Sequence, residues 1–408
     1  MSGPYRILYH HRTQALDGQR VHIHEIQRAL RALGHDVVEI APLAATETAG
    51  SDASRSLARR VIEWVAARTP AAMYEIAELV YNVPAYLRLS AAIRRTRPDF
   101  IYERYSLNTV AGVWAARRYR IPLLLEVNSP LADEKQHHGR LAFHDVARRI
   151  ERYVVTQATR TLAVTGVLKD RLVRATGVAD HRVVVVQNGV DPERFAAAER
   201  RRNEIRFRLG VGREVVVGAV GFFRDWHGID RLVEAMHAER RLSRGVRLLL
   251  VGDGPALPGV RERACELGVA DRVILTGSVP HGEVPALVAA MDVVMIPHVV
   301  EYASPLKLFE YMAAGKAIVA PRQPNVEEVL THDADALLFA PHDNAAFRLA
   351  LVQVASSPEL RGRIGRAARQ TIERRDFTWN GNAARIVRVF EEECGPRTAA
   401  GLLRSSHA

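Results

Sequence analysis

The sequence predicts an α/β chain of two doubly wound, Rossmann-like domains facing each other across a cleft. Three observations carry this expectation. Short apolar runs alternate with stretches of helical periodicity along nearly the whole chain, the pattern of parallel strands joined by crossover helices. The alternation runs as two series, the second starting after Phe195. A chain of 408 residues, 48% hydrophobic and 25% charged, has a globular composition and length for about two domains. The boundaries read as 1–195, 196–375 and a tail, 376–408, with a helix returning to the first domain before a frayed end. Val190 to Arg213 holds the linker.

In the first series YRILYHH (Tyr5 to His11) is a buried strand and TQALDG a loop. Val21 to Leu33 is a helix with Ile23, Ile26, Leu30 and Leu33 on one stripe. Gly34 stops it, and DVVEIAP is the second strand, completing a βαβ unit. FIYER, PLLLEVN, TLAVT and RVVVVQN are further strands, the last ending at Asn188. Ligands of such sheets collect at the carboxyl ends of strands, which places His10, His11, Arg12, Gly18, Asn128 and Asn188 near one crevice. Gly18 precedes a helix and lets backbone approach a phosphate. Between the second and third strands lies a mostly helical insertion, Ser51 to Pro98. Leu57, Val61, Trp64 and Val65 form a stripe with Arg55, Arg59, Arg60 and Arg68 mainly off it, and a further helix runs around Tyr74 to Tyr81. Such a basic amphipathic helix either packs on its domain or lies on a membrane surface.

In the second series an arginine-rich helix (Glu199 to Leu209) leads to EVVVGAV, GFFRDWHGIDRLVEAM, VRLLLVG, GDGP, RVILTGSVP and DVVMIPHVV. The stretch SPLKLFEYMAAGKAIVAP, Ser304 to Pro321, has the pattern of an anion site. Ser304 suits a helix cap and Pro305 the first helical position, giving a helix of roughly three turns. Gly315 supplies a left-handed stop before a buried strand. Lys307 falls in the first turn, where the helix dipole disfavours a cation unless an anion sits beside it. Glu310 shares its face and offers a hydroxyl acceptor. The competing interpretation is a solvated lysine paired with Glu310 or Tyr311.

Composition narrows the remaining classes. The net charge of +11 comes from scattered arginines with no basic arm or aromatic platform, which argues against nucleic acid and for either a solvated surface or attraction to anionic lipid and nucleotide substrates. Only Lys135, Lys169, Lys307 and Lys316 are lysines, a bias that fits genome composition and adds slight weight to a need for compact charge at each. Cys265 and Cys394 lack metal-type spacing and read as reduced. No apolar run approaches the roughly 20 residues of a membrane span, and the chain enters a strand without a signal peptide. A cytoplasmic location is expected, with peripheral contact at the inner membrane face left open.

GFFRDWHG, LLLVGDGP, DRVILTGSVP, DVVMIPH, SPLKLFEYMAAGKAIVAP and EEVLTHDADALLFAPHD occur in the order and spacing of the carboxyl domain of glycosyltransferase family 4. QNGVDPERF and GHDVVEIAP resemble the same family, so the likeness covers nearly the whole chain. It implies the GT-B fold and transfer of a sugar from a nucleoside-diphosphate donor to a hydroxyl, usually with retention, without a metal or other cofactor.

The resemblance also assigns residues. The family's donor-diphosphate segment matches Gly221 to Gly228, with His227 in the usual lysine position and Arg224 two places later than the usual arginine. Arg224, Lys307 and His227 are the expected catalytic cations, His227 acting either protonated or as a neutral donor. Glu310 matches the family's ribose-binding glutamate. Tyr302 occupies the first glutamate position and Glu301 precedes it, leaving open which one meets the donor sugar. Ser304 and Leu306 stand at the helix start, and Gly277, Ser278 and Val279 form the nucleobase loop. Gly18 faces the diphosphate. His22 matches a helix-start histidine, Asn128 stands where relatives carry a histidine near the acceptor, and His10 and Arg12 join the acceptor side. Polysaccharide, lipid-linked sugar and small natural product all stay open as acceptor.

Two patterns are weighed as decoys. DAD (Asp333 to Asp335) looks like a metal-binding carboxylate pair but sits in a turn before a strand. GDGP with Gly259 faintly resembles a dinucleotide fingerprint, weakened by Pro255. The competing functions are a GT-B-type sugar-nucleotide epimerase or phosphorylase, a catalytically silent nucleotide-sugar-binding protein and a Rossmann oxidoreductase.

Overall fold

The computed structural model describes residues 3–13, 18–42, 71–137, 139, 141–239 and 245–395. The chain forms two compact units, Met1–Gln187 with Ala383–Ala408, and Asn188–Asn382.

In the first unit β1 (Arg6–His10), β2 (Asp36–Ile40), β3 (Phe100–Arg104), β4 (Leu123–Val127), β5 (Arg160–Ala163) and β6 (Val183–Val185) form one sheet, ordered β2-β1-β3-β4-β5-β6. Every pairing is parallel. β3 and β4 are buried at every position, as strands covered on both faces must be, which explains their near-continuous apolar runs. The connection from β2 to β3 contains helices Ala71–Val80 and Asn82–Thr96. The predicted stripe from Leu57 to Val65 lies outside the described residues. The unit closes with the end of the helix Trp379–Cys394: Phe390 stacks on Phe100 with ring centroids 4.5 Å apart, and the Tyr5 hydroxyl donates to Glu391 at 2.8 Å.

In the second unit β7 (Val215–Val220), β8 (Val246–Val251), β9 (Val273–Leu275), β10 (Val293–Met295), β11 (Ala317–Pro321) and β12 (Leu337–Phe339) are ordered β12-β11-β10-β7-β8-β9. All pairings are again parallel. Strand order reverses between β7 and β10, which opens a crevice at their carboxyl ends. The segment expected as a linker belongs to this unit's core: Val190, Phe195, Ile205 and Val211 are buried in it. The structural division therefore falls at residue 187 rather than near 195. Arginines supply part of the reason, since Arg202 and Arg206 both reach Asp292 just before β10, at 2.6 and 3.1 Å.

The anion-site helix is shorter than its pattern predicts. It spans Leu306–Ala313, about two turns, and begins after Pro305, with no side-chain cap. Pro305 is extended at φ −72° and ψ 124°, so Ser304 stands one residue too early to cap.

Candidate functional site

The second unit's crevice is built from three backbone segments. β7 ends at Val220, and Gly221 turns the chain with φ +147°. The following loop is fastened to the GDGP loop after β8: Gly221 N–H donates to the Val251 carbonyl at 3.0 Å, Phe223 N–H to Asp253 at 2.7 Å and Ala256 N–H to Phe223 at 3.1 Å. Two glycines allow this approach. A Cβ on Gly252 would fall 2.0 Å from the Gly221 oxygen and one on Gly254 2.2 Å from the Phe223 oxygen. GDGP is thus a brace for the loop beside it.

That loop carries two of the predicted cations. Arg224 is exposed and His227 half-buried, on a short 3-10 turn Asp225–His227. The Arg224 backbone N–H donates to His227 Nδ1 at 2.9 Å, which leaves Nε2 as the ring's proton-bearing donor. Burial, and next the charge of Lys307, push the imidazole down to about 3. Of the two forms expected for His227, the structure supports the neutral donor.

The third segment is the helix Leu306–Ala313. Lys307 lies in its first turn beside Gly221, on which a Cβ would stand 3.8 Å from Lys307 Nζ. Desolvation lowers the Lys307 ammonium to about 8 against the pull of Glu310. Burial likewise lifts Glu310 to about 7, opposed by Arg194 and Lys307. Two adjacent groups with pKa values pushed toward neutrality in a crevice mark a place built for something other than stability. Tyr311, offered as a partner for Lys307, is instead fully buried and accepts the Val220 N–H at 2.8 Å. The other lysines have structural partners: Lys316 meets Glu199 and the Ala289 carbonyl, each at 2.9 Å, Lys169 meets Asp180 at 2.8 Å, and Lys135 approaches Glu78 at 3.5 Å.

Around this centre Ser304 accepts from Asn188, its hydroxyl from the backbone N–H at 3.4 Å and its carbonyl from Nδ2 at 2.5 Å. Asn188, expected with His10 and Asn128, is the first residue of the second unit. Glu301 and Tyr302 occupy a turn, Glu301 exposed and Tyr302 half-buried, braced by Asn325, whose Nδ2 donates to the Val300 and Ala303 carbonyls. Gly277, at φ +68°, and exposed Ser278 follow β9, with Val279 packed on the core. Arg194 is the site residue that sequence reasoning missed. It sits in the family-like QNGVDPERF run, and its charge opposes the rise that burial imposes on Glu310.

The DAD pair is spent on local structure. Asp335 accepts the Thr331 N–H at 2.6 Å and the Thr371 hydroxyl at 2.9 Å, and Asp333 turns the chain at φ +61°. Among the described residues no group of three or more His, Cys, Asp or Glu is arranged to hold a metal.

In the first unit a second polar cluster gathers where strand order changes between β1 and β3. His10 and Glu103 are cross-strand partners, and His10 Nδ1 lies 2.7 Å from Glu103 Oε2, both buried. Beside them Glu126 is shared by Arg104, Asn128 and the Tyr102 hydroxyl, the last at 2.6 Å. His22, matched above to a helix-start histidine, is buried, with Nδ1 3.3 Å from Arg104. Burial drives its imidazole down to about 4. Burial alone would raise the Glu126 carboxyl; His22, Arg104 and the bonds from Tyr102 and Asn128 outweigh it and hold it low. The structure thus brings His22 and Asn128 into one network. Arg12 goes elsewhere: its guanidinium bonds Thr109 at 2.9 Å and lies 4.8 Å from the Tyr81 ring centre. Gly18 is the exposed first residue of the helix Gly18–Ala32. Glu103, Arg104 and Glu126 were passed over because they close strands that read as apolar. A charge at the carboxyl end of a buried parallel strand was the available signal.

The chain resembles known proteins along both units. Residues 16–194 match the family described as Glycosyltransferase Family 4 and residues 214–357 that described as Glycosyl transferases group 1. The D-inositol 3-phosphate glycosyltransferase of Saccharomonospora viridis is 30% identical over 309 residues, 72% of this chain and 70% of that protein. The 2-deoxystreptamine glucosyltransferase of Streptomyces kanamyceticus is 28% identical over 61% of this chain, and the match spans 65% of that relative's length. The structure of the Anabaena protein HepE in complex with UDP superposes with a TM-score of 0.71 at 18% identity, covering 95% of this chain and all of that one, a likeness of fold. With two parallel six-stranded sheets and family matches along both, the chain belongs to glycosyltransferase family 4 and is a glycosyltransferase of the GT-B type.

Proposed function

We propose that this protein moves a sugar from a nucleoside-diphosphate donor to a hydroxyl acceptor, with retention of anomeric configuration and with protein cations in place of a metal. The observation that carries the reading is Lys307 in the first turn of its helix, against Gly221 and next to His227. Breaking the anomeric bond leaves extra negative charge on the diphosphate. Lys307, Arg224, the Nε2–H of His227 and the amides of the helix start are donors suited to that charge. Glu310, held at the same crevice, is the acceptor for ribose hydroxyls. The departing phosphate takes the acceptor's proton, so no protein carboxylate is assigned as base. The HepE structure with UDP supports a nucleotide donor.

The test is a thermal-shift panel of UDP, GDP, ADP, TDP and CMP with NAD as control, followed by transfer assays with the matching nucleotide sugar. The correct diphosphate at about a hundredfold over its Kd stabilises by roughly 2.7 kcal/mol. The response disappears in Glu310→Ala and Lys307→Ala. No response from a folded sample overturns the proposal, and release of free phosphate or an epimer without acceptor replaces transfer by phosphorolysis or epimerisation.

A further inference from the structure

The helical stretch from Ala71 to Thr96 in the first unit packs Ala85, Leu89, Ala92 and Ile93 inward along its second half, whereas the buried positions of its first half carry Glu75, Glu78 and Asn82. Each has polar partners: Glu75 accepts the Ala142 and Phe143 N–H groups at 2.6 and 2.9 Å, Glu78 accepts from Asn108 at 2.9 Å, and Asn82 accepts the Val110 and Ala111 N–H groups at 2.7 and 3.1 Å. Its outward positions carry Met73, Ile76, Val80, Val83 and Leu87, which are 61, 50, 63, 57 and 60% exposed. They recur at alternating intervals of three and four residues, so they form one stripe. Tyr81 between the two helices keeps helical backbone, and the stripe runs through it.

Aromatic residues widen the stripe. Tyr74 is half exposed on the same stretch, and Tyr86 meets the exposed Trp114 edge-on, with ring centroids 6.4 Å apart. Single exposed apolar residues are ordinary, whereas a contiguous uncharged stripe of this kind marks a contact surface. Its rim is basic. One face continues past Leu87 to Arg94 and Arg95, and past Trp114 to Arg117 and Arg118, all exposed. No acidic side chain is exposed from residue 72 to 97 or from 111 to 120, because Glu75 and Glu78 are buried.

We propose that this face docks the protein on an anionic lipid surface, the stripe entering the boundary between headgroups and acyl chains and the arginines meeting lipid phosphates. Tyr74, Tyr86 and Trp114 sit at the level where amphipathic rings are favoured. A second copy of the chain fits this face less well. Isologous pairing would gather the arginines of both copies with no exposed carboxylate on either face to offset them. The inference stands apart from the sugar-transfer reading, because docking is measured without donor or acceptor.

The experiment is sedimentation of the full chain with vesicles of phosphatidylcholine alone or mixed with phosphatidylglycerol, with light scattering to fix the oligomeric state. Wild type binds the anionic vesicles and releases as salt rises. The Met73→Gln/Val80→Gln/Leu87→Gln variant binds at least about tenfold more weakly. Arg94→Gln/Arg95→Gln loses roughly fivefold per arginine. Both substitute exposed positions, so their thermal stability matches wild type; if the triple variant fails to fold, the arginine pair decides alone. Absence of binding to any vesicle, or binding unchanged in the variants, overturns the proposal. So does a wild-type dimer that the stripe variant converts to monomer without any vesicle binding.

Discussion

The Val220 backbone N–H donates to the Tyr311 hydroxyl at 2.8 Å, tying the end of β7 to the helix that carries Lys307. β10 pairs with β7 only as far as Gly218, so the side chain supplies the partner that the ladder no longer gives. The bond therefore sets the distance between Gly221 and Lys307. Tyr311→Phe leaves a buried N–H without an acceptor and costs about 1–3 kcal/mol in urea unfolding. Its kinetic signature is a fall in kcat larger than any rise in acceptor KM. A variant with wild-type stability and kcat would show that the bond positions nothing.

The pH dependence follows from Lys307 and Glu310. Burial lowers the first to about 8 and raises the second to about 7. The free protein has both charged only between those values. On the proposed function, protonation of Glu310 as pH falls through about 7 removes the acceptor for ribose hydroxyls, and deprotonation of Lys307 as pH rises through about 8 removes the charge assigned to the diphosphate. The expected kcat/KM profile for donor is a narrow bell, with limbs belonging to the coupled pair. Glu310→Gln removes the acid limb, and Lys307→Ala removes the basic limb with a loss in kcat of roughly 10²–10³. Lys307→Arg does not restore it, since a planar guanidinium cannot replace a compact charge packed beside Gly221. A profile flat from pH 6 to 9 in wild type contradicts the assignment.

His227 contributes neither limb. With its imidazole lowered to about 3 by burial and by Lys307, it is neutral across the working range, and the role proposed for it is donation from Nε2–H. A charged His227 would make turnover fall as pH rises through its own pKa, and that behaviour is not expected here. His227→Gln, which keeps a donor, retains most activity, while His227→Ala loses about tenfold in kcat, the worth of roughly 1.4 kcal/mol. The shape of the profile is the same in both. A limb that disappears in His227→Ala would assign it a titrating role.

Periodicity was enough to read both sheets, because parallel strands covered on two faces are apolar along their length and the helices between them keep one buried stripe. In the second unit Lys307 stood out in the sequence because a lysine in a helix's first turn conflicts with the dipole, and such local conflict is a signal worth following. Arg194 and the partners of Glu126 were not legible. Their roles depend on which elements the topology makes adjacent, and the charge of Arg194 acts on Glu310 across more than a hundred residues of sequence. Ser304 misled for a finer reason, since Ser-Pro at a helix start fits Ser as cap with Pro next, whereas Pro305 itself is the extended residue before the helix.

The glycines after β8 give the last prediction, because they separate a brace from a dinucleotide fingerprint. In such a fingerprint the final glycine allows close packing of helix on strand. Gly259 has nothing within 4 Å of a Cβ placed on it and lies in the helix Leu257–Glu266. Gly259→Ala should therefore stabilise the protein by about 0.5–1 kcal/mol through helix propensity and leave nucleotide binding untouched. Gly252 is the opposite case. At φ +127° its Cβ would meet the Gly221 carbonyl at 2.0 Å, a backbone atom that cannot rotate away. Gly252→Ala should cost roughly 1–3 kcal/mol of stability and push the Gly221 loop away from Lys307. Its nucleoside-diphosphate Kd should rise by more than the stability loss accounts for. Calorimetric titration of both variants against wild type reads this directly. Weakened binding in Gly259→Ala would mean the helix contacts the ligand, and unchanged binding in a folded Gly252→Ala would detach the GDGP loop from the diphosphate site.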